Sequence, residues 1–129
     1  MILALKTDQP EAEVVLLKNE KTIVAHLWKA HRELSNTLLI VIEEQLKKAG
    51  YTLQDLTGII VYRGPGSFTG LRIGITTANA LAYSLGIPVV GPTTDEWQQK
   101  GLQLLKDNTI DGFVQPLYGS APNITQPRK

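Results

Sequence analysis

The sequence predicts an α/β domain with a mixed five-stranded sheet and helices on both faces. Three observations point to this class. Short apolar runs separated by turn-forming residues open the chain, two long helical patterns follow, and a fully apolar strand lies between the two helices. A strand that is apolar at every position is typical of a sheet covered on both sides. With 129 residues, the chain is long enough to form one domain with its own core.

The first three strands are expected at residues 2–5, 14–17 and 23–27, where they form a meander. A first helix is expected from about residue 32 to residue 49, with Gly50 as its stop. This prediction is based on apolar residues that recur at helical spacing, namely Leu34, Leu38, Val41, Ile42 and Leu46.

Two further apolar residues of this helix, Leu39 and Ile40, fall outside that stripe. The apolar set is therefore wider than one face of a helix. Either the helix lies deep in its own domain, or another subunit covers part of it, and we favour the second interpretation.

The central strand is expected at residues 59–62, followed by a turn over residues 64–66. Glycine and proline cannot continue a strand or a helix there. Ser67 or Thr69 is expected to cap a second helix, which runs to about Leu85 and stops at Gly86.

A glycine turn at the start of a helix can hold an anion, because free backbone N–H groups and the helix dipole point at one place. Three known motifs fail at this turn. The P-loop needs Lys and then Ser or Thr after its last glycine, but Leu71 follows Gly70; Thr69 stands where the dinucleotide fingerprint needs glycine. Ser67 lacks the frame of a nucleophile elbow. Spacing alone leaves open a structural turn and a ligand or partner loop.

The second helix carries small residues at every fourth position, namely Gly70, Gly74, Ala78 and Ala82. A glycine inside a helix costs about 1 kcal/mol relative to alanine, and close approach of another backbone is the usual compensation. This line of small residues, called the seam below, faces either the protein's own sheet or a partner helix, and the sequence does not choose between them.

The remaining elements are shorter. A strand is expected at residues 87–91 and a third helix at residues 95–106, with Thr94 or Asp95 as its cap. One more strand is expected at residues 113–117, and an extended tail follows it.

The amino-acid composition limits the classes of function that the chain can have. The net charge of +1 disfavours direct binding of nucleic acid by the isolated chain. The absence of cysteine excludes disulfides and thiolate sites and is compatible with a reducing cytosol. With no signal peptide or membrane span in the sequence, a cytoplasmic location without membrane contact is expected.

The eleven residues Gly-Pro-Gly-Ser-Phe-Thr-Gly-Leu-Arg-Ile-Gly at positions 64–74 resemble the signature of the bacterial TsaB (YeaZ) family. The resemblance runs from Met1 to about Gly91. It implies one RNase H-like lobe of the actin-like superfamily. The predicted order of elements, three strands, helix, strand, helix, strand and helix, agrees with that lobe.

The resemblance also implies a function. The family helps to make threonylcarbamoyladenosine beside the tRNA anticodon, as a non-catalytic scaffold or activator. The chain would then carry no catalytic residue and would dock a TsaD-like catalytic subunit through its two central helices, forming a heterodimer. The resemblance also suggests a TsaE-like ATPase as a further partner. The chain would contact tRNA only as part of the complex. The alternatives are a self-contained nucleotide-binding or ATP-hydrolysing domain and a homodimeric regulatory protein.

Two sets of candidate residues follow from the resemblance. The loop that could meet a nucleotide or a partner contains Gly64, Pro65, Gly66, Ser67, Phe68, Thr69, Gly70 and Arg72. The expected partner interface contains Leu39, Ile40, Glu43, Gly70, Gly74, Ala78 and Ala82. No cofactor is expected to bind stably, and ATP or ADP is expected only at the partner interface.

The chain departs from the family at the end of its first strand. Family members commonly have Asp-Thr there, and actin-like ATPases use this Asp to hold the metal that accompanies the nucleotide. Lys6-Thr7 stands in that place, and lysine cannot ligate Mg²⁺, so autonomous ATP hydrolysis is not expected. His26 and His31 lie before the first helix without metal-ligand spacing, so no metal site is expected.

The chain is also shorter than typical members, which carry a second lobe after the third helix. Residues 1–112 are expected to form the RNase H-like lobe, and residues 113–129 a C-terminal strand and tail. Pro116-Leu117-Tyr118 resembles the C-terminal end of longer members, which suggests an internal deletion of the second lobe.

Overall fold

Five strands form one mixed sheet in the order β3-β2-β1-β4-β5. The structure, a computed structural model, describes residues 1–107 and 112–117 of the chain. Strands β1 and β4 pair in parallel, as do β4 and β5, whereas β2 is antiparallel to both of its neighbours. The strands are β1 (Ile2–Lys6), β2 (Glu11–Lys18), β3 (Lys21–Lys29), β4 (Gly58–Val61) and β5 (Val89–Val90). The predicted RNase H-like α/β class is confirmed.

Three α-helices cover this sheet, namely α1 (Leu34–Lys48), α2 (Phe68–Leu85) and α3 (Trp97–Lys106). Short 3-10 turns at His31–Glu33 and Leu53–Asp55 precede α1 and β4. The predicted stop signals are confirmed for two helices, because Gly50 has φ +88° just after α1 and Gly86 has φ +68° at the end of α2.

The helices lie on both faces of the sheet. On one face, Thr7, just after β1, contacts Gly74 of α2, and Trp28 of β3 donates a hydrogen bond to Thr37 of α1. On the other face, Ile60 of β4 contacts Gly101 of α3. Because successive side chains of a strand point to opposite faces, the buried strand β4 contributes to both layers of the core.

The long antiparallel hairpin β2–β3 agrees with the predicted meander. Asn19 and Glu20 connect the two strands with φ values of +53° and +66°, which suit a tight two-residue turn. The pairing slips by one residue between Leu16 and Leu17, where β3 accommodates an extra residue. Strand β3 forms one edge of the sheet and exposes Ile23 and Leu27.

Two predictions about the later elements are wrong. Helix α3 begins at Trp97 instead of residue 95, and neither Thr94 nor Asp95 caps it, because the backbone turns through the left-handed region at Thr94 and Glu96. Residues 113–117 form no strand. Instead, Asn79 of α2 accepts a hydrogen bond from the Val114 amide and donates one to its carbonyl, both at 2.9 Å.

The predicted tail at residues 118–129 lies outside the described residues. Over the part of the chain that the structure describes, no helix is long and apolar enough to cross a membrane.

Candidate functional site

The glycine loop, residues 64–70, connects β4 to α2 and packs on the turn that follows β1. Gly64 has φ +126°, and a Cβ there would collide with the carbonyl of Leu117. A Cβ on Gly66 would collide with Asp8, and one on Gly70 would collide with the carbonyl of Thr7. Gly64 and Gly70 therefore allow neighbouring backbone to approach the loop, and Gly66 leaves room for the Asp8 side chain.

Hydrogen bonds hold the same loop from both sides. The Ser67 amide donates to the Asp8 carbonyl at 3.3 Å, and the Tyr62 hydroxyl donates to the Pro65 carbonyl at 2.7 Å. The Leu117 amide donates to the Arg63 carbonyl at 2.7 Å just before the loop. Ser67 occupies the N-cap position of α2 without a side-chain capping bond, and Thr69 lies within the helix, so the predicted cap by either side chain is wrong.

Asp8 is the residue of this region that sequence reasoning missed. Its carboxylate is 5% exposed, forms an ion pair with Lys6 at 2.6 Å and accepts a hydrogen bond from Gln9 at 3.3 Å. It packs directly against Gly66. The available signal was an acidic residue two places after the first strand. Lys6 is partly buried in this pair.

Two further ionisable groups lie beside the Lys6–Asp8 pair. Glu13 pairs with Lys6 in the β1–β2 register, and burial raises the pKa of its carboxyl above the usual 4.5, with Lys6 acting in the opposite direction. Burial also raises the pKa of the Tyr62 hydroxyl, and the nearby Asp8 adds to that shift. The Lys6 ammonium lies 4.7 Å from the centre of the Tyr62 ring.

This arrangement disfavours a phosphate at the glycine loop. The Asp8 carboxylate already lies beside Gly66, just before the first turn of α2, where an anion would be attracted. A phosphate placed there would meet a buried negative charge. Among the described residues there is also no cluster of three or more His, Asp or Glu side chains that could hold a metal ion. His26 stacks on Trp28 at 5.8 Å between ring centres.

The seam of small residues on α2 faces the protein's own interior. Gly74 is buried against the Thr7 hydroxyl, and Ala78 and Ala82 are 0% and 4% exposed in the core. The prediction that these residues line a partner interface is wrong. Gly70 likewise makes its close approach to Thr7 and not to another molecule. The physical reason is that the Thr7 hydroxyl needs room to donate its hydrogen bond to the Gly70 carbonyl, at 2.7 Å.

The other predicted interface residues lie on the surface. Leu39 and Ile40 are 44% and 55% exposed, and Glu43 is also exposed. The five residues predicted to form the buried stripe of α1 are all buried, so that prediction is confirmed. Leu39 and Ile40 are thus a second apolar surface on the same helix, which no described part of the chain covers.

A groove of about 380 Å³ lies between α1 and α2. Ser35 of α1 lines it, and Leu39 and Glu43 follow at four-residue intervals on the same side of the helix. The α2 side contributes Thr69, Arg72, Ile73, Thr76 and Thr77. We call the exposed sides of α1 and α2 with this groove the two-helix face.

The comparisons with known proteins agree with the fold and with the loop. Residues 28–97, which include α1, the glycine loop and α2, match the family described as TsaD: tRNA N6-adenosine threonylcarbamoyltransferase. The chain is 40% identical over 93 residues to the tRNA threonylcarbamoyladenosine biosynthesis protein TsaB of Escherichia coli, an alignment that covers 72% of this chain and 40% of that protein. The chain belongs to the TsaB (YeaZ) family.

Other relatives support this membership. The TsaB protein of Bacillus subtilis is 31% identical over 119 residues, which are 91% of this chain and 49% of that protein. YeaZ from Pseudomonas aeruginosa superimposes with a TM-score of 0.66 at 34% identity, covering 71% of this chain and 43% of that one. The chain therefore spans less than half of the length of these TsaB and YeaZ relatives.

A catalytic relative matches a shorter part. The tRNA N6-adenosine threonylcarbamoyltransferase of Geotalea daltonii is 53% identical over 62 residues, covering 48% of this chain and only 18% of that protein. The two TsaB proteins named above match a larger share of the chain than this transferase does.

Proposed function

We propose that this chain is a non-catalytic scaffold or activator subunit in the biosynthesis of tRNA threonylcarbamoyladenosine. It docks a TsaD-like catalytic subunit through the two-helix face. The observation that carries the proposal is the exposure of Leu39 and Ile40 on α1, one of the two helices that line the groove. Large apolar side chains grouped on a surface mark protein interfaces more often than free surface.

The match to the TsaD family explains why a TsaD-like subunit is the partner. The TsaD family match covers both helices of the two-helix face, so the catalytic subunit has a similar helix pair of its own. Two similar surfaces can pair about an approximate two-fold axis, as the identical surfaces of a homodimer do. The same reasoning allows two copies of this chain to pair when the catalytic subunit is absent.

Docking of this kind activates an enzyme by differential affinity. A subunit that binds the active conformation of its partner more tightly than the inactive one shifts the partner toward activity. The substrate tRNA then contacts the complex and not this chain alone, in keeping with a net charge of only +1. The chemistry belongs to the catalytic subunit.

The alternative is a self-contained nucleotide-binding domain that uses the glycine loop. The ion pair of Lys6 with Asp8 and the position of Asp8 beside Gly66 argue against it. Calorimetry with ATP and Mg²⁺ on the isolated chain separates the two functions. Micromolar binding with turnover would favour the alternative, whereas the scaffold proposal expects neither.

The proposal is tested by sizing chromatography with light scattering on the chain alone and mixed with the TsaD-like subunit of the same organism. We expect a one-to-one complex that displaces any homodimer. An assay of threonylcarbamoyl transfer to tRNA by that subunit, with and without the chain, then tests activation. A chain that elutes separately and leaves the transfer rate unchanged would contradict the proposal.

A further inference from the structure

The groove of the two-helix face contains one charged residue, Arg72, and this inference about it rests on the proposed function. The ion pairs within the described residues are Lys6 with Asp8 and Lys106 with Glu20, so Arg72 has no carboxylate partner among them. Arginine is the side chain best suited to bind a carboxylate with two parallel hydrogen bonds. An exposed arginine in a groove, without an acid of its own, is available to an acid from outside.

Arg72 is also oriented. Its guanidinium carbon lies 5.4 Å from the centre of the Phe68 ring, one turn earlier on the same helix. Contact with an aromatic ring limits the side chain's motion without neutralising its charge, so less entropy is lost when a ligand binds. Phe68 is itself 54% exposed and supplies apolar surface beside Arg72.

The remaining polar groups of the groove are hydroxyls. The side chains of Ser35, Thr69, Thr76 and Thr77 line it, and none of these hydroxyls hydrogen-bonds to another residue in the part of the chain that the structure describes. They are free to donate to an incoming acceptor. The first turns of α1 and α2 contain no acidic residue. The carboxylates of α1 nearest in sequence are Glu33 at its N-cap, which accepts a hydrogen bond from Asn36, and Glu43, two turns beyond Ser35.

We propose that Arg72 binds an Asp or Glu carboxylate on a helix of the TsaD-like partner and thereby selects that partner. Arg72 supplies the positive charge of the groove, while Leu39, Ile40 and Phe68 supply exposed apolar surface on the same two helices. Arg72 thus acts as a specificity-determining residue of the two-helix face, and Leu39 and Ile40 provide most of the buried apolar area.

The test is a set of binding titrations of the chain with the TsaD-like subunit at low and high salt. We compare Arg72→Glu and Arg72→Met with Lys29→Glu, which makes the same charge change as Arg72→Glu at an exposed position on edge strand β3. We expect Arg72→Glu to weaken binding by at least about tenfold, and Arg72→Met by less. Lys29→Glu should stay within about twofold of the unmodified chain, and only the Arg72 variants should lose part of the salt dependence. Unchanged circular dichroism and melting temperature establish that each variant is folded.

A second set of variants identifies the acid. Exposed Asp and Glu residues on the partner's helices are changed one at a time to Lys, and one of these changes should restore binding to Arg72→Glu. Binding by folded Arg72→Glu within twofold of the unmodified chain would overturn the inference while leaving the docking itself in place. If the unmodified chain does not bind the subunit at all, both the proposed function and this inference are overturned.

Discussion

Asp8 is the residue that fixes the state of the glycine loop. Its backbone carbonyl accepts a hydrogen bond from the Ser67 amide. Its carboxylate forms an ion pair with Lys6 and packs against Gly66. A buried carboxylate is tolerated only when it is paired, and here the cation comes from the same strand end. Lys6 and Asp8 therefore form a paired site at the end of β1.

Replacing Asp8 by Asn should lower the free energy of unfolding by about 1–3 kcal/mol, because the Lys6 ammonium loses its partner in a largely buried site. Urea denaturation measures the change. The matched control is Glu20→Gln, which breaks the exposed pair with Lys106 and should change stability by no more than about 0.5 kcal/mol. Equal effects of the two variants would show that burial of the Lys6–Asp8 pair is unimportant.

The folding stability of the molecule depends on pH through the Glu13 carboxyl. Its pKa is raised in the folded state, so folding favours the protonated carboxyl. The stability that this group contributes is therefore complete below its unfolded value of about 4.5 and is lost as the pH rises through the folded value. Glu13→Gln should be more stable than the unmodified chain at pH 7 and equal to it near pH 4. Denaturation at the two pH values tests this, and a variant that is less stable at pH 7 would contradict the assigned role of burial.

At the scale of elements, α2 and the end of β1 are fitted to each other through Thr7. Thr7 is 1% exposed and fills the notch between Gly70 and Gly74. The helix accepts a glycine in its interior because the threonine hydroxyl leaves no room for a Cβ there. The seam therefore stabilises the fold, and the proposed docking surface lies on the opposite side of the same helix.

Gly74→Ala should destabilise the chain by about 1–2 kcal/mol, since overpacking outweighs the better helix propensity of alanine. Removing the hydroxyl with Thr7→Ala should reduce that cost to less than half, and a double-mutant cycle measures the coupling. Additive effects of the two substitutions would show that Thr7 is not what excludes a side chain at position 74.

The elements that could be predicted are those with local signals. Helices α1 and α2 follow from periodicity and from glycine stops, and β4 follows from its uninterrupted apolar run. The start of α3 was misplaced because Thr94 and Glu96 adopt left-handed backbone conformations that neither residue type signals. The segment 113–117 looked like a strand from composition, but it pairs with the Asn79 side chain of α2, a contact between distant parts of the sequence.

The candidate site was only partly predictable for the same reason. The sequence identified the glycine loop and the exposed residues of α1, because spacing alone separates them from the buried stripe. It could not decide which way the small residues of α2 face, since both a sheet and a partner helix favour small side chains. It also could not show that Asp8 folds back against Gly66, which depends on the packing of two turns distant in sequence.

At the scale of the whole molecule, the chain has two different surfaces. The charged residues Lys6 and Asp8 pair with each other beside the glycine loop. The two-helix face is exposed and partly apolar, and its Arg72 has no carboxylate partner among the described residues. Functional contacts are therefore expected at the helices and not at the loop. The chain covers less than half of the length of its TsaB relatives, and the TsaD family match within it spans residues 28–97.

The most direct test of this account compares two leucines. Leu39 and Leu27 are 44% and 55% exposed, one on the two-helix face and the other on edge strand β3. The affinity of Leu39→Asp and of Leu27→Asp for the TsaD-like subunit is measured by isothermal titration calorimetry. We predict that Leu39→Asp weakens binding by about a hundredfold, because it places a charge in an apolar contact, and that Leu27→Asp binds like the unmodified chain. Equal affinities of the two variants, or a loss confined to Leu27→Asp, would contradict the claim that α1 and α2 form the docking surface.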